Sequence, residues 1–203
     1  MRAESSKPKG KHTTDVIAFE QITEIILPYL NWQEIVEHCK RKLAGNYLHG
    51  ESRVRKACGL IAGIQDEHAL KVERILPIKK NVRDKEPYKT YMDRMMEQYA
   101  VPSKTSFDRR GWITDPGELK EYYQECDQEE LIVFGTYHMH IVPWEHDPIR
   151  DTPTLLDTIL ARNSNLFSFI VSMVDVTRPR IRAFYEGSGE KEVPVVIPST
   201  DNG

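Results

Sequence analysis

Cysteine is scarce in this chain and odd in number. Cys39, Cys58 and Cys126 are the three in 203 residues. They are too far apart for a cysteine-rich zinc module and do not form a disulfide framework, which points to a reducing compartment. A dominant charge of one sign is also missing. Lys and Arg number 28 against 31 Asp and Glu, a formal net charge of -3, so no general nucleic-acid surface is expected. No apolar run approaches a membrane span, and the N-terminus has no signal-peptide core. These absences lead to the expectation of a cytoplasmic protein with neither nucleic acid nor membrane as partner. The sequence has no internal repeat and no low-complexity tract beyond its first residues.

The length allows one sizeable core and is marginal for two. Residues 1–14 are polar, basic and contain Pro and Gly, and are expected to form a flexible tail. Residues 15–203 are then a single domain. Ile22, Ile25, Ile26 and Tyr29 have helical spacing. Asn31 to Glu34 reads as a capping box, with Trp32, Ile35, Val36, Cys39 and Leu43 on one helix face and Gly45 at its end. Residues 57–64 form an apolar run that suits a central strand, with glycines where another backbone approaches. A second strand is expected over 70–78 after a turn at 65–67, and a loop over 81–91.

Met92, Met95, Met96 and Tyr99 again have helical spacing. Asp115-Pro116-Gly117-Glu118 is a helix start, followed by Leu119, Tyr122, Tyr123 and Cys126 as the buried face. The next strand holds Leu131-Ile132-Val133-Phe134 and runs on through Gly135 to His140. Asp151 or Thr152 is placed to cap a further helix with Pro153 at its first position, and Leu155, Leu156, Ile159 and Leu160 give it a core face. Strands follow over 166–174 and 180–185, with a short last one over 193–197. Helices therefore flank a set of strands, which defines an α/β fold: one mixed-sheet domain.

Chemistry concentrates between His138 and Asp157. Residues i and i+2 of a strand share a face, so His138 and His140 can reach one ion while Met139 points away. Catalytic zinc takes three protein ligands and leaves the fourth position open; two His and a carboxylate are one such set. Asp157 is the favoured carboxylate. Thr154, three residues earlier on the same helix, offers a hydroxyl to a developing oxyanion. The loop 141–151, with Trp144, Glu145, His146 and Asp147, reads either as a lid or as a solvated excursion.

Three segments in order carry a family resemblance: Cys58 to Gly63, Phe134 to His140, and Pro153-Thr154-Leu155-Leu156-Asp157. Together they resemble the JAMM (MPN/JAB) metallopeptidases over residues 32–185. The resemblance implies a JAB/MPN-like fold with cytidine-deaminase-like layering and Zn2+ as cofactor. It implies a protein or peptide substrate, including ubiquitin-like conjugates, cleaved at a peptide or isopeptide bond by a zinc-activated water. His138, His140 and Asp157 would be the ligands, and Thr154 would stand in for the family serine.

The sequence departs from the family pattern at four places. Lys56 stands where the family carries its general-base Glu, and a protonated lysine accepts no proton; Glu51 is the substitute if its connection folds back. Met139 replaces a small hydroxyl residue, and Ile141 replaces a proline. The loop is longer, so family spacing points to Asp151 while the local motif points to Asp157, which is preferred; His146 or Asp147 could join the shell. The alternative to an enzyme is an inactive MPN-like binding or scaffold module, with Lys56 as its best support.

Overall fold

The computed structural model describes residues 18–103 and 105–199; the tail expected over 1–14 lies outside them. The strands are β1 Glu24–Ile26, β2 Cys58–Asp66, β3 Ala69–Pro77, β4 Ile132–His140, β5 Phe167–Ser172, β6 Arg180–Tyr185, β7 Glu192–Val193 and β8 Val195–Val196. The helices are α1 Tyr29–Ala44, α2 Tyr88–Tyr99, α3 Pro116–Gln128 and α4 Leu155–Ala161, with 3-10 turns at Phe19–Gln21 and Phe107–Arg109. This is the mixed α/β domain expected.

All eight strands belong to one sheet of order β7-β6-β5-β4-β2-β3-β1-β8. β4 is antiparallel to β2 and parallel to β5, so both its edges are paired. Its start is covered on both faces, Phe134 in one core and Val133 in another, and a strand buried on both faces needs no alternation. β7 and β8 sit at opposite ends of the order yet only Pro194 separates them. The sheet must therefore curl until its ends meet, and β8 lies against β6. Ile25 N–H donates to the Pro194 carbonyl and Leu27 N–H to that of Val196, at 2.9 and 2.8 Å.

The two faces of the sheet carry separate cores. One holds Ile25, Ile61, Phe134, Tyr137, Phe167, Phe169 and Val171, covered by Ile35 and Cys39 of α1. Phe134, Phe167 and Phe169 are fully buried; each such ring contributes about 1.5–3 kcal/mol relative to exposure. The other face packs Cys58, Leu60, Ala62 and Leu76 on Cys126 of α3. Met92 and Met96 of α2 meet Leu156 of α4 in a third cluster. The glycine expectation for β2 holds at Gly63, where a Cβ would collide with the Lys71 carbonyl. The β2–β3 register shifts between Ala62 and Gly63, as a bulge requires.

Several boundaries differ from expectation. Ile25 and Ile26 lie in β1 rather than in a helix, because parallel pairing to both β3 and β8 outweighs local spacing. The cap of α1 is Pro28, not Asn31; Leu27 is held extended by Val196, and proline has no N–H to leave unpaired. Asn31 instead donates its side-chain amide to the Glu73 carbonyl at 3.4 Å. The 81–91 segment is not all loop, since α2 begins at Tyr88. The Glu86 carboxylate accepts from both the backbone N–H and the hydroxyl of Thr90, at 3.3 and 2.8 Å.

Tyr123 is 41% exposed rather than buried. On α4, Leu155 and Leu160 point outward and Leu156 carries the packing. The cap of α4 is Thr154 rather than Asp151 or Thr152. The single last strand is two short ones on opposite sheet edges. Asp115 does cap α3, accepting from the Glu118 N–H at 3.1 Å.

Candidate metal centre

Strand period places the histidines. In β4, Tyr137 and Met139 join the α1-side core, and His138 and His140 point to the other face. Parallel pairing sets Ile170 beside His138 and Ser172 beside His140, and the antiparallel neighbour of His138 is Cys58. The rings meet edge to face with centroids 5.0 Å apart.

Asp157 arrives from α4 through local chemistry. The Thr154 hydroxyl oxygen accepts from the Asp157 N–H at 3.2 Å, and Asp157 Oδ2 accepts from the Thr154 N–H at 2.7 Å. This capping box satisfies two helix N-terminal donors and fixes the carboxylate at the same time. The Pro-Thr-x-x-Asp motif is therefore a device that starts a helix and aims an acid. Gly187 completes the seat of α4, its carbonyl accepting from the Thr158 hydroxyl at 2.6 Å.

The donor atoms converge. His138 Nε2 and His140 Nε2 are 3.2 Å apart. Asp157 Oδ1 is 3.4 Å from His138 Nε2, and Asp157 Oδ2 is 3.5 Å from His140 Nε2. All three donors lie within 4.8 Å of one another. Bond lengths of about 2.0–2.1 Å in a tetrahedron require donor separations of about 3.3–3.4 Å; the two imidazole nitrogens stand near that spacing, and a different oxygen of the Asp157 carboxylate lies beside each of them.

His140 and Asp157 are in the protonation states a cation requires. His140 Nδ1 lies 3.2 Å from the Arg150 carbonyl. A carbonyl only accepts, so Nδ1 carries the hydrogen and Nε2 keeps its lone pair for the centre. Burial pulls the His140 imidazole below its ordinary value, which favours the neutral ring. Burial alone pushes the Asp157 carboxyl up, but the His138 and His140 rings outweigh it and hold the acid well below the usual carboxylate range. Side-chain exposure is 31% for His138 against 9% for His140; the centre opens on the His138 side, where a fourth position would face solvent.

The other sequence candidates separate. Asp151 is not in the cluster; it pairs with Arg182 at 3.1 Å. His146 lies against Trp144, ring centroids 5.4 Å apart. Asp147 holds the loop together rather than joining the donors: its carboxylate accepts from Arg150 N–H at 2.8 Å and from the Thr152 hydroxyl at 3.0 Å. Spacing alone did not reveal that role, although Asp147-Pro148 is a turn signal.

Glu51 is buried within an ion network on the Tyr137 side of the sheet. Arg41 grips it at 2.6 and 2.9 Å and Leu48 N–H donates to it at 2.8 Å. Lys42 lies 3.6 Å and His38 3.8 Å away, and His38 Nδ1 is bonded to the Tyr137 hydroxyl at 2.7 Å.

Lys56 lies two residues before β2. Met139 N–H donates to the Ala57 carbonyl at 3.1 Å, carrying the β2–β4 pairing one residue past Cys58–His138. The next step in that register sets Lys56 level with His140. Its amine donates to the Gly111 carbonyl at 3.0 Å, and burial, aided by Arg83, lowers its pKa to about 8.

The fold and this cluster define a mixed α/β domain with an open, three-donor His-His-Asp centre at the end of a central strand. Among solved structures, the chain is similar to protein DSY2949 from Desulfitobacterium hafniense, a structural genomics target determined in solution. The TM-score is 0.56 at 18% identity, over 86% of this chain and 92% of that one, a likeness that shows the fold alone. No family model and no curated protein matches. Among the described residues, no helix is long and apolar enough to cross a membrane.

Proposed function

We propose that this chain is a zinc-dependent metallohydrolase of JAMM type that cleaves a peptide or isopeptide bond of a protein substrate, with ubiquitin-like conjugates as the class to test. In this reading the sheet has JAB/MPN layering. The observation that carries the proposal is the convergence of His138 Nε2, His140 Nε2 and the Asp157 carboxylate, with His138 the more exposed of the two rings.

His138, His140 and Asp157 would hold the ion. When bound, zinc supplies a water of lowered pKa and polarises a carbonyl. The protein's own part is to fix the donors and to manage protons. Thr154 holds Asp157 through its backbone N–H, and its hydroxyl hydrogen remains a donor for an oxyanion. Lys56, level with His140, has a pKa near 8 and is unprotonated in a fraction of molecules at neutral pH. In this reading Lys56 is the group that exchanges the proton.

Two measurements test the reading: zinc content of the purified chain, and cleavage of ubiquitin-like conjugates and peptides. Activity should be lost in His138→Ala and fall about 10²–10⁴-fold in Lys56→Met. A chain that takes up no zinc removes the proposal. The second reading, a silent binding module, is favoured by the lysine itself; it predicts zinc binding with no turnover by any substrate class.

A further inference from the structure

We infer that Asp147 is the positioning residue of this centre: it sets the tautomer of His140 through the Arg150 carbonyl. The tautomer claim stands on the loop geometry; its consequence for zinc rests on the function proposed above.

The backbone partner of His140 Nδ1 among the described residues is the Arg150 oxygen, 3.2 Å away. That oxygen is aimed by an unusual backbone. Arg150 has φ +58, a left-handed conformation that costs an ordinary residue about 1–2 kcal/mol. The conformation therefore has to be held. Asp147 does so with both oxygens, Oδ1 accepting from Arg150 N–H at 2.8 Å and Oδ2 from the Thr152 hydroxyl at 3.0 Å. The clip thus spans the residues on both sides of the critical carbonyl.

Other contacts fix the clip itself. Trp144 and Asp147 exchange backbone hydrogen bonds at 3.1 and 3.2 Å, closing the turn. The Arg150 guanidinium lies 3.5 Å over the Trp144 ring. The Ser172 hydroxyl, on the β5 residue paired with His140, donates to the Ile149 carbonyl. The loop is built on its own account and pinned to the strand beside the ligand. Partners of a ligating imidazole orient it and hold its tautomer, and their loss typically costs about 10–100-fold in metal affinity.

The test compares Asp147→Ala with Asp147→Asn in the full chain. Asparagine keeps the Oδ1 acceptor for Arg150 N–H, and its amide can donate to the Thr152 hydroxyl. Imidazole 15N spectra of the metal-free protein read the tautomer, with His140 assigned by His140→Gln. The wild type and Asp147→Asn should show Nδ1 protonated, and Asp147→Ala a mixture of tautomers. Zinc titration against a chelator should show affinity falling about 10–100-fold in Asp147→Ala and recovering in Asp147→Asn. An Nε2-protonated His140 in the wild type, or the wild-type tautomer retained in Asp147→Ala, overturns the inference. A wild type that takes up no zinc sinks the proposed function, and the tautomer spectra still decide this one.

Discussion

The Arg41 guanidinium takes both oxygens of Glu51, at 2.6 and 2.9 Å, while Lys42, fully buried, stands 3.6 Å from the same carboxylate. Lys42 also donates to the Ser52 carbonyl at 2.8 Å. One acid therefore neutralises two cations from α1. Burial alone would push the Glu51 carboxyl up, but Arg41, Leu48 and Lys42 hold it down to about 2.

Glu51→Gln leaves the buried Lys42 and the partly buried Arg41 without that counter-charge. Removing one partner of a buried ion pair costs about 3–5 kcal/mol, and urea unfolding should read a loss of that order. Zinc affinity should stay within twofold, because the network packs on the Tyr137 side of β4 and the donors on the other. A large loss of zinc affinity with unchanged stability would move Glu51 into the centre.

His38 gives the fold a pH dependence of its own. Burial, followed by Arg41, pulls its pKa from 6.5 to about 4. The folded state then binds fewer protons than the unfolded chain between those values, so stability rises with pH in that window. The contribution is complete above 6.5, is lost as pH falls toward 4, and changes no further below it. The gap corresponds to about 3 kcal/mol. His38→Gln can still bond the Tyr137 hydroxyl, and its unfolding free energy should fall less between pH 7 and 4.5 than that of wild type. Parallel curves for the two proteins would refute the assignment.

The legible parts of the sequence were those that depend on neighbours in the chain. A period of two put His138 and His140 on one face, and a helix-capping pattern located Asp157, because both are local geometry. Asp115 and Gly45 were readable for the same reason. Distant partners decided the rest. Pro28 became a cap because Val196 holds Leu27 extended, and residues 193–197 split between two edges because the sheet closes on itself. The Asp147 clip was hidden because it depends on a left-handed backbone at Arg150, an arginine rather than a glycine. The Lys56–His140 alignment emerged only with the β2–β4 register.

Thr154 separates a structural from a chemical role within one residue. Thr154→Ala removes the hydroxyl that caps α4 and should cost about 1 kcal/mol. The backbone N–H that fixes Asp157 Oδ2 survives, so zinc affinity should fall no more than severalfold. Thr154→Ser should restore the stability. If turnover drops in Thr154→Ala well beyond the change in affinity, the hydroxyl acts on the reacting groups as well as on the helix.

Metal removal tests the centre where no substrate is needed. An ion that binds only the folded chain stabilises it by about 2.7 kcal/mol at a hundredfold excess over its dissociation constant. For a domain of this size that is roughly 5–10 °C in melting temperature. EDTA should lower the wild-type midpoint by that amount and zinc should restore it. His138→Ala, which loses a partly exposed ring rather than core volume, should melt near the EDTA-treated wild type and ignore both additions. Asp157→Asn should do the same while keeping much of its cap, since the amide oxygen can still accept from Thr154 N–H. Phe169→Ala provides the contrast: a buried ring on the opposite face lost at about 3–5 kcal/mol, with the increment between EDTA and zinc preserved. If the histidine variant responds to zinc as the wild type does, the ion binds elsewhere and the triangle of donors is an ordinary hydrogen-bonded cluster.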